Sequence, residues 1–132
     1  MFRDDWLLRV IQEVADALAR IVAKKKAGQH EEALEEVDEA MRELMGRNAS
    51  LVRVLDAATI AHMCPNAQTV RALADLRREE ADLKERLGER AAARQAVANA
   101  LALYELAVER AEGALDDDPA LHEAMQWLRA RA

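Results

Sequence analysis

Aromatic side chains are nearly missing: one phenylalanine, one tyrosine and two tryptophans make up 3% of 132 residues. Aliphatic side chains must therefore fill the interior. There is one cysteine, Cys64, so no internal disulfide can form and a reducing, cytoplasmic setting is expected. The four glycines sit at plausible helix ends, which leaves no glycine-rich loop to cradle a phosphate. Apolar and polar residues never alternate over a convincing stretch, so strands are not expected. No apolar run approaches the length that spans a bilayer, and no membrane association is expected. The amino terminus, Met1-Phe2-Arg3-Asp4-Asp5, is acidic where a secretory leader needs basic residues. Basic residues are outnumbered overall. A net charge of −6 repels a phosphate backbone and argues against a nucleic-acid partner.

What remains is aliphatic and strongly patterned. Hydrophobic residues make up 52% of the chain, and about a fifth of all positions are alanine, the best helix former. The length suits one domain, residues 1–132, that removes roughly two-thirds of its unfolded surface from water. Apolar residues recur at three and four nearly everywhere, which predicts an all-α, antiparallel bundle of five to six helices. Asp4 or Asp5 caps a first helix with a broad apolar stripe from Leu7 to Val22, ended by Gly28. A second runs from about His30 to Met45, with Gly46 as its stop. Asn48 or Ser50 starts a third through Leu51, Val54, Leu55, Ala58 and Ala61, ending before Pro65. Asn66 caps a fourth, whose seam of Val70, Leu73, Leu76, Leu83 and Leu87 is interrupted by Arg77, Arg78, Glu79 and Glu80. A fifth runs from about Glu89 to Leu115. Asp116 to Asp118 followed by Pro119 opens a short sixth through Leu121, Met125 and Leu128.

One spacing occurs twice. Gly28 is followed by Ala33, Leu34, Val37, Ala40 and Met41, and 60 residues later Gly88 is followed by Ala93, Arg94, Val97, Ala100 and Leu101. A glycine that ends one helix, with small residues at fixed offsets on the next, suits two closely packed antiparallel helices. This spacing resembles the second half of a tetratricopeptide repeat, with Gly28 at the turn and Ala33, Val37 and Ala40 at packing positions. The segment from Asp5-Trp6-Leu7-Leu8 through Asp38-Glu39-Ala40 resembles small bacterial helical proteins of tetratricopeptide-like character and unknown function. The resemblance implies helix hairpins and no activity.

No residue set calls for catalysis, a metal or a cofactor. His62 and Cys64 are two apart, so on a helix they point in nearly opposite directions. His30 suits a half-buried ring at a helix turn, and His122 an exposed first turn. The carboxylates fall in runs that read as solvated faces and helix starts. Glu80 lies on the seam of the fourth helix, where burial demands pairing from Tyr104 or Arg77. That reading leaves a polar bundle contact or a groove lining.

A non-enzymatic protein-interaction module follows, its first and fourth helices lining a shallow groove. Phe2, Trp6, Leu7, Leu8 and Ile11 are the candidate contact residues, more apolar surface than one helix face can hide. Trp6 is either an interface anchor or core. The partner is another protein, or a second copy pairing through Leu8, Ile11, Ala15 and Val22. A small-ligand carrier with a pocket lined by Met41, Met45, Met63 and Met125 is the alternative.

Overall fold

The computed structural model describes residues 2–132, with side chains from Asp5 onward, so the candidate side chain of Phe2 lies outside the described residues. Helices α1 (Phe2–Lys26) and α2 (His30–Met45) form one hairpin, and α4 (Ala67–Arg86) and α5 (Arg90–Ala111) form another. Between them lie a 3-10 turn, Gly46–Leu51, and a short α3, Ala57–His62; α6, Pro119–Arg129, closes the chain. No strand occurs among the described residues, and the fold is an all-helical bundle. Helix α4 packs against α1, α2, α5 and α6. Eleven of its twenty residues are buried, more than a single face can hold, so α4 is the axis on which the other helices are assembled.

Local chemistry accounts for most boundaries. The Asn66 carboxamide accepts from the Thr69 amide at 2.8 Å, and Asp118 accepts from the Leu121 amide at 3.0 Å with Pro119 in the first turn. Both are N-caps that satisfy otherwise orphaned donors. The two hairpins turn alike. Gly28 has φ 78°, its N–H donates to the Lys25 carbonyl at 3.1 Å, and Gln29 N–H donates to Lys24 at 2.8 Å. Gly88 has φ 77°, its N–H donates to Glu85 at 3.1 Å, and Glu89 N–H donates to Lys84 at 2.9 Å. This pair of bonds closes a helix around a left-handed residue. Ala33, Val37 and Ala40 then face the core in the first hairpin, and Ala93, Val97 and Ala100 in the second. The repeated spacing is thus a repeated turn followed by a repeated packing face.

Three expected boundaries move. Neither Asn48 nor Ser50 opens the third helix: both lie in the 3-10 turn, and α3 begins at Ala57, where extended Asp56 accepts from the Thr59 amide at 2.8 Å. Leu51 and Leu55 still reach the core from turns, whereas Val54 is 76% exposed. The C-terminal carbonyls of this short segment are held from α5. Arg110 donates to the carbonyls of Ala61 at 2.9 Å and Cys64 at 3.2 Å. Helix α5 ends at Ala111 rather than Leu115, because Glu112 and Gly113 both adopt positive φ. Helix α1 is already helical at Phe2, so Asp4 and Asp5 lie within its first turns rather than capping it.

An alanine at residue 88 meets nothing within 4 Å, so its penalty is purely that of left-handed backbone. Gly88→Ala is expected to cost about 1–2 kcal/mol, read as a lower urea midpoint at unchanged slope. An unchanged midpoint would show that this turn does not set the hairpin.

Candidate functional site

Two apolar seams run along α1, one residue apart. The inner seam, Leu7, Val10, Val14, Ala17 and Ile21, faces the bundle and is buried from Val10 onward. The outer seam, Leu8, Ile11, Ala15, Leu18 and Val22, has the alternating three- and four-residue spacing of a helix-pairing surface. None of its members is buried; Leu8 is 61% exposed. Leu8, Ile11, Ala15 and Leu18 form one wall of a cavity of about 320 Å³, with Arg71, Ala72 and Asp75 of α4 and Leu115 opposite. Leu18 and Val22 continue into a cavity of about 310 Å³ that α4 shares with Ala120, Glu123 and Ala124 of α6. Leu18, Arg71 and Asp75 belong to both, so the two form one trough. From Leu8 to Val22 it is about 21 Å long at 1.5 Å per helical residue.

The expected contact cluster is divided by this geometry. Leu8 lies on the trough. Trp6 and Leu7 point to the other side, lining a cavity of about 410 Å³ with Leu44, Met63, Cys64 and Pro65. Ile11 borders both cavities. Trp6 is 49% exposed, a rim residue rather than core. The methionines do not gather: Met41 and Met125 are buried in the core, while Met63 lines the Trp6 cavity. Cys64 is buried with its thiol toward the Ile60 carbonyl at 3.5 Å, and His62 is exposed. Burial pushes that thiol up, against the pull of Arg110, which makes it a poor nucleophile. Among the described residues, no group of three or more His, Cys, Asp and Glu side chains could hold a metal ion. No helix of the described residues is long and apolar enough to cross a membrane.

Opposite the outer seam, α4 presents charge. Sequence periodicity marks Arg77 to Glu80 as an interruption, yet Arg77, Glu79 and Glu80 are all buried. Arg77 Nη1 donates to Glu80 Oε1 at 2.8 Å and Arg53 Nε donates to Glu80 Oε2 at 2.8 Å. Arg77 Nε reaches Asn99 of α5 at 2.9 Å, and Arg53 reaches Asp38 of α2 at 2.5 Å. Glu80 is thus held by arginines, while Tyr104 donates instead to Asp75. Arg71 bridges Asp75 at 3.1 Å and Asp118 at 2.6 Å. Lys25 of α1 donates to Glu79 at 2.6 Å and Asp82 at 2.8 Å. Arg78 completes Glu79 at 2.8 Å and lies 5.0 Å from the Trp127 ring, which Arg131 also covers at 3.6 Å. These stacks fix Trp127 by cation–π attraction. The pairing of Lys25 with Glu79 and of Tyr104 with Asp75 escaped the sequence reading because these partners lie far apart in the chain; opposite charges three apart at Arg77 and Glu80 and four apart at Arg71 and Asp75 were the local clues.

Burial pushes the Glu80 carboxyl up, but Arg77 and Arg53 outweigh it and hold it below the usual range. Asp82 behaves likewise, with Lys25 and Arg86 overcoming desolvation. At Asp75 burial wins over Tyr104 and Arg71, and its carboxyl titrates high. Burial, with the Asp75 charge beside it, drives the Tyr104 phenol far up, so it stays a donor. These contacts tie α4 to α1, α2, α5 and the start of α6, while Nη2 of Arg77 and Nε of Arg78 are buried without a hydrogen-bond partner. No protein-family model matches the chain, and no curated protein or solved structure does either.

Glu80→Gln leaves Arg77 buried without its counter-charge, which is expected to cost about 3–5 kcal/mol. The measurement is a urea or thermal unfolding midpoint, and an unchanged midpoint would remove the buried pair from the stability of the bundle. The acid response has a defined sign. Because Glu80 titrates lower folded than unfolded, its contribution is present above about 4.3, the unfolded value, and is lost as pH falls through the folded one. Glu80→Gln should therefore lose less stability on acidification than the parent chain.

Proposed function

We propose that this protein is a non-enzymatic helical interaction module, tetratricopeptide-like in its paired hairpins, that docks another helix in the trough between α1 and α4. One observation carries the reading: α1 holds a second apolar seam of helix-pairing spacing that the described residues cover only in part, with Leu8 and Ala15 exposed and Ile11, Leu18 and Val22 half-buried. Contiguous apolar surface left open beside polar residues marks an interaction site more often than a surface at rest. An amphipathic helix suits it in shape, because such a helix presents apolar anchors at three- and four-residue intervals to a groove. The polar wall of Arg71, Asp75 and Arg78 supports docking over chemistry, since each of these side chains is already bound to a neighbour.

A photo-crosslinking amino acid placed at Leu8 or Ala15 in the protein's own cells tests this. Both positions are exposed on the outer seam, and Glu35, exposed on α2, serves as the control. Protein adducts are expected from Leu8 and Ala15 and not from Glu35. Equal yields at all three positions, or none at the seam, would contradict docking at the trough.

A further inference from the structure

Away from the trough, three arginines line one recess. Arg90 and Arg94 of α5, Arg131 beyond the end of α6 and Glu85 of α4 surround a cavity of about 200 Å³ whose apolar lining is Ala93 and Val97. It shares no lining residue with either part of the trough. Three guanidinium groups against one carboxylate leave the recess positive, on a chain whose net charge is −6. The acids nearby are already taken: Glu85 by Arg131 at 3.0 Å, Glu89 by Lys84 at 2.8 Å and Asp82 by Arg86 at 3.1 Å. Among the described residues, Arg90 and Arg94 have no ion-pair partner.

Placing these arginines together is costly without an anion. Arg90 and Arg94 are four apart on one helix face, where like charges repel. Arg90 also stands in the first turn of α5, which holds no acidic residue, at the end where the helix dipole disfavours a cation. Arg131 is held in place by other means: it stacks 3.6 Å from the Trp127 ring and donates to Glu85 at 3.0 Å and to the Trp127 carbonyl at 3.2 Å. The third charge thus arrives from a different element than the first two, and it arrives fixed. We propose that this recess binds a phosphate dianion, either free or as the monoester of a small organic group. Arginine forks bond oxyanions through paired N–H groups. Donors converging from two elements suit a tetrahedral oxyanion, which accepts on every side, better than a planar carboxylate. The two unpaired guanidinium groups match its charge of about −2. Ala93 and Val97, both buried, offer an apolar floor to the organic group of an ester, and the small volume limits the size of that group.

Calorimetric titration of the full chain with inorganic phosphate and with phenyl phosphate tests the site, at fixed ionic strength and at about pH 8, above a second phosphate pKa of about 6. Saturable binding is expected. Tighter binding of phenyl phosphate supports an organic ester resting on Ala93 and Val97, and equal binding supports free phosphate. Arg90→Gln combined with Arg94→Gln is expected to weaken binding by about tenfold or more, with unchanged helical circular dichroism because both side chains are exposed. Phosphate is also expected to raise the melting temperature of the parent chain and not of this double variant, since a ligand of the folded state stabilises it by mass action. Arg9→Gln combined with Arg42→Gln removes the same charge from exposed positions elsewhere and is expected to leave binding as it was. The absence of saturable binding up to millimolar phosphate overturns the proposal. So does equal weakening by the two double variants, which would assign the effect to overall charge. Malonate binding more tightly than either phosphate probe overturns the choice of phosphate.

Discussion

A helix surrounded by four others must still carry nine ionisable residues from Arg71 to Glu85 if it keeps this sequence, and α4 does so by pairing them. A buried ion pair adds little over well-packed apolar residues of the same size, because desolvation offsets the attraction; removing one partner is what costs heavily. The pairs on α4 therefore act mainly as selection rules. Beyond its partner on α4, Glu80 is met by Arg53, Glu79 by Lys25 of α1 and Asp75 by Tyr104 of α5. Apolar alanine faces slide past one another easily, and a core with so few aromatic residues has little shape with which to fix register. The ionic contacts supply the register that the alanines do not.

The same arrangement explains why α1 is only half used. Its inner seam and Lys25 bind it to α2 and α4, while α6 is short and covers only the far end of the trough, near Leu18 and Val22. Among the described residues, none covers Leu8 or Ala15. The open seam is thus a consequence of bundle geometry. A longer last helix reaching back along α1 would have hidden it. The side chains of the polar wall opposite are committed within the fold: Arg71 to Asp118, which caps α6, and Asp75 to Tyr104 of α5.

Much of the bundle could be read in advance wherever one local signal decided the outcome. Gly28 and Gly88 mark turns because only glycine adopts their backbone cheaply, and Asn66 and Asp118 mark starts because their side chains bond amides three residues on. The segment from Gly46 to Ala57 could not be read so, since its apolar spacing continues through turns and Asp56 competes with Asn48 and Ser50 as a cap. An apolar cluster near the amino terminus was legible, but not its division. Trp6 and Leu8 are two apart, and a helix sends such neighbours to different sides. The polar stretch on α4 looked like a solvated face because periodicity registers only apolar residues, and Arg53, Asp38 and Lys25 are neighbours only in the folded chain.

If the paired charges of α4 organise the bundle, its middle should be the last part to open. Native-state hydrogen exchange reads this directly, since amides that open only with the whole molecule report its global stability. The expected result is that amides from Leu76 to Leu83 exchange more slowly than those of α2, α5 and α6, and no faster than global unfolding allows. Faster exchange there than in α2 or α5 would contradict a central role for the charged helix and assign the register to the apolar faces of the hairpins.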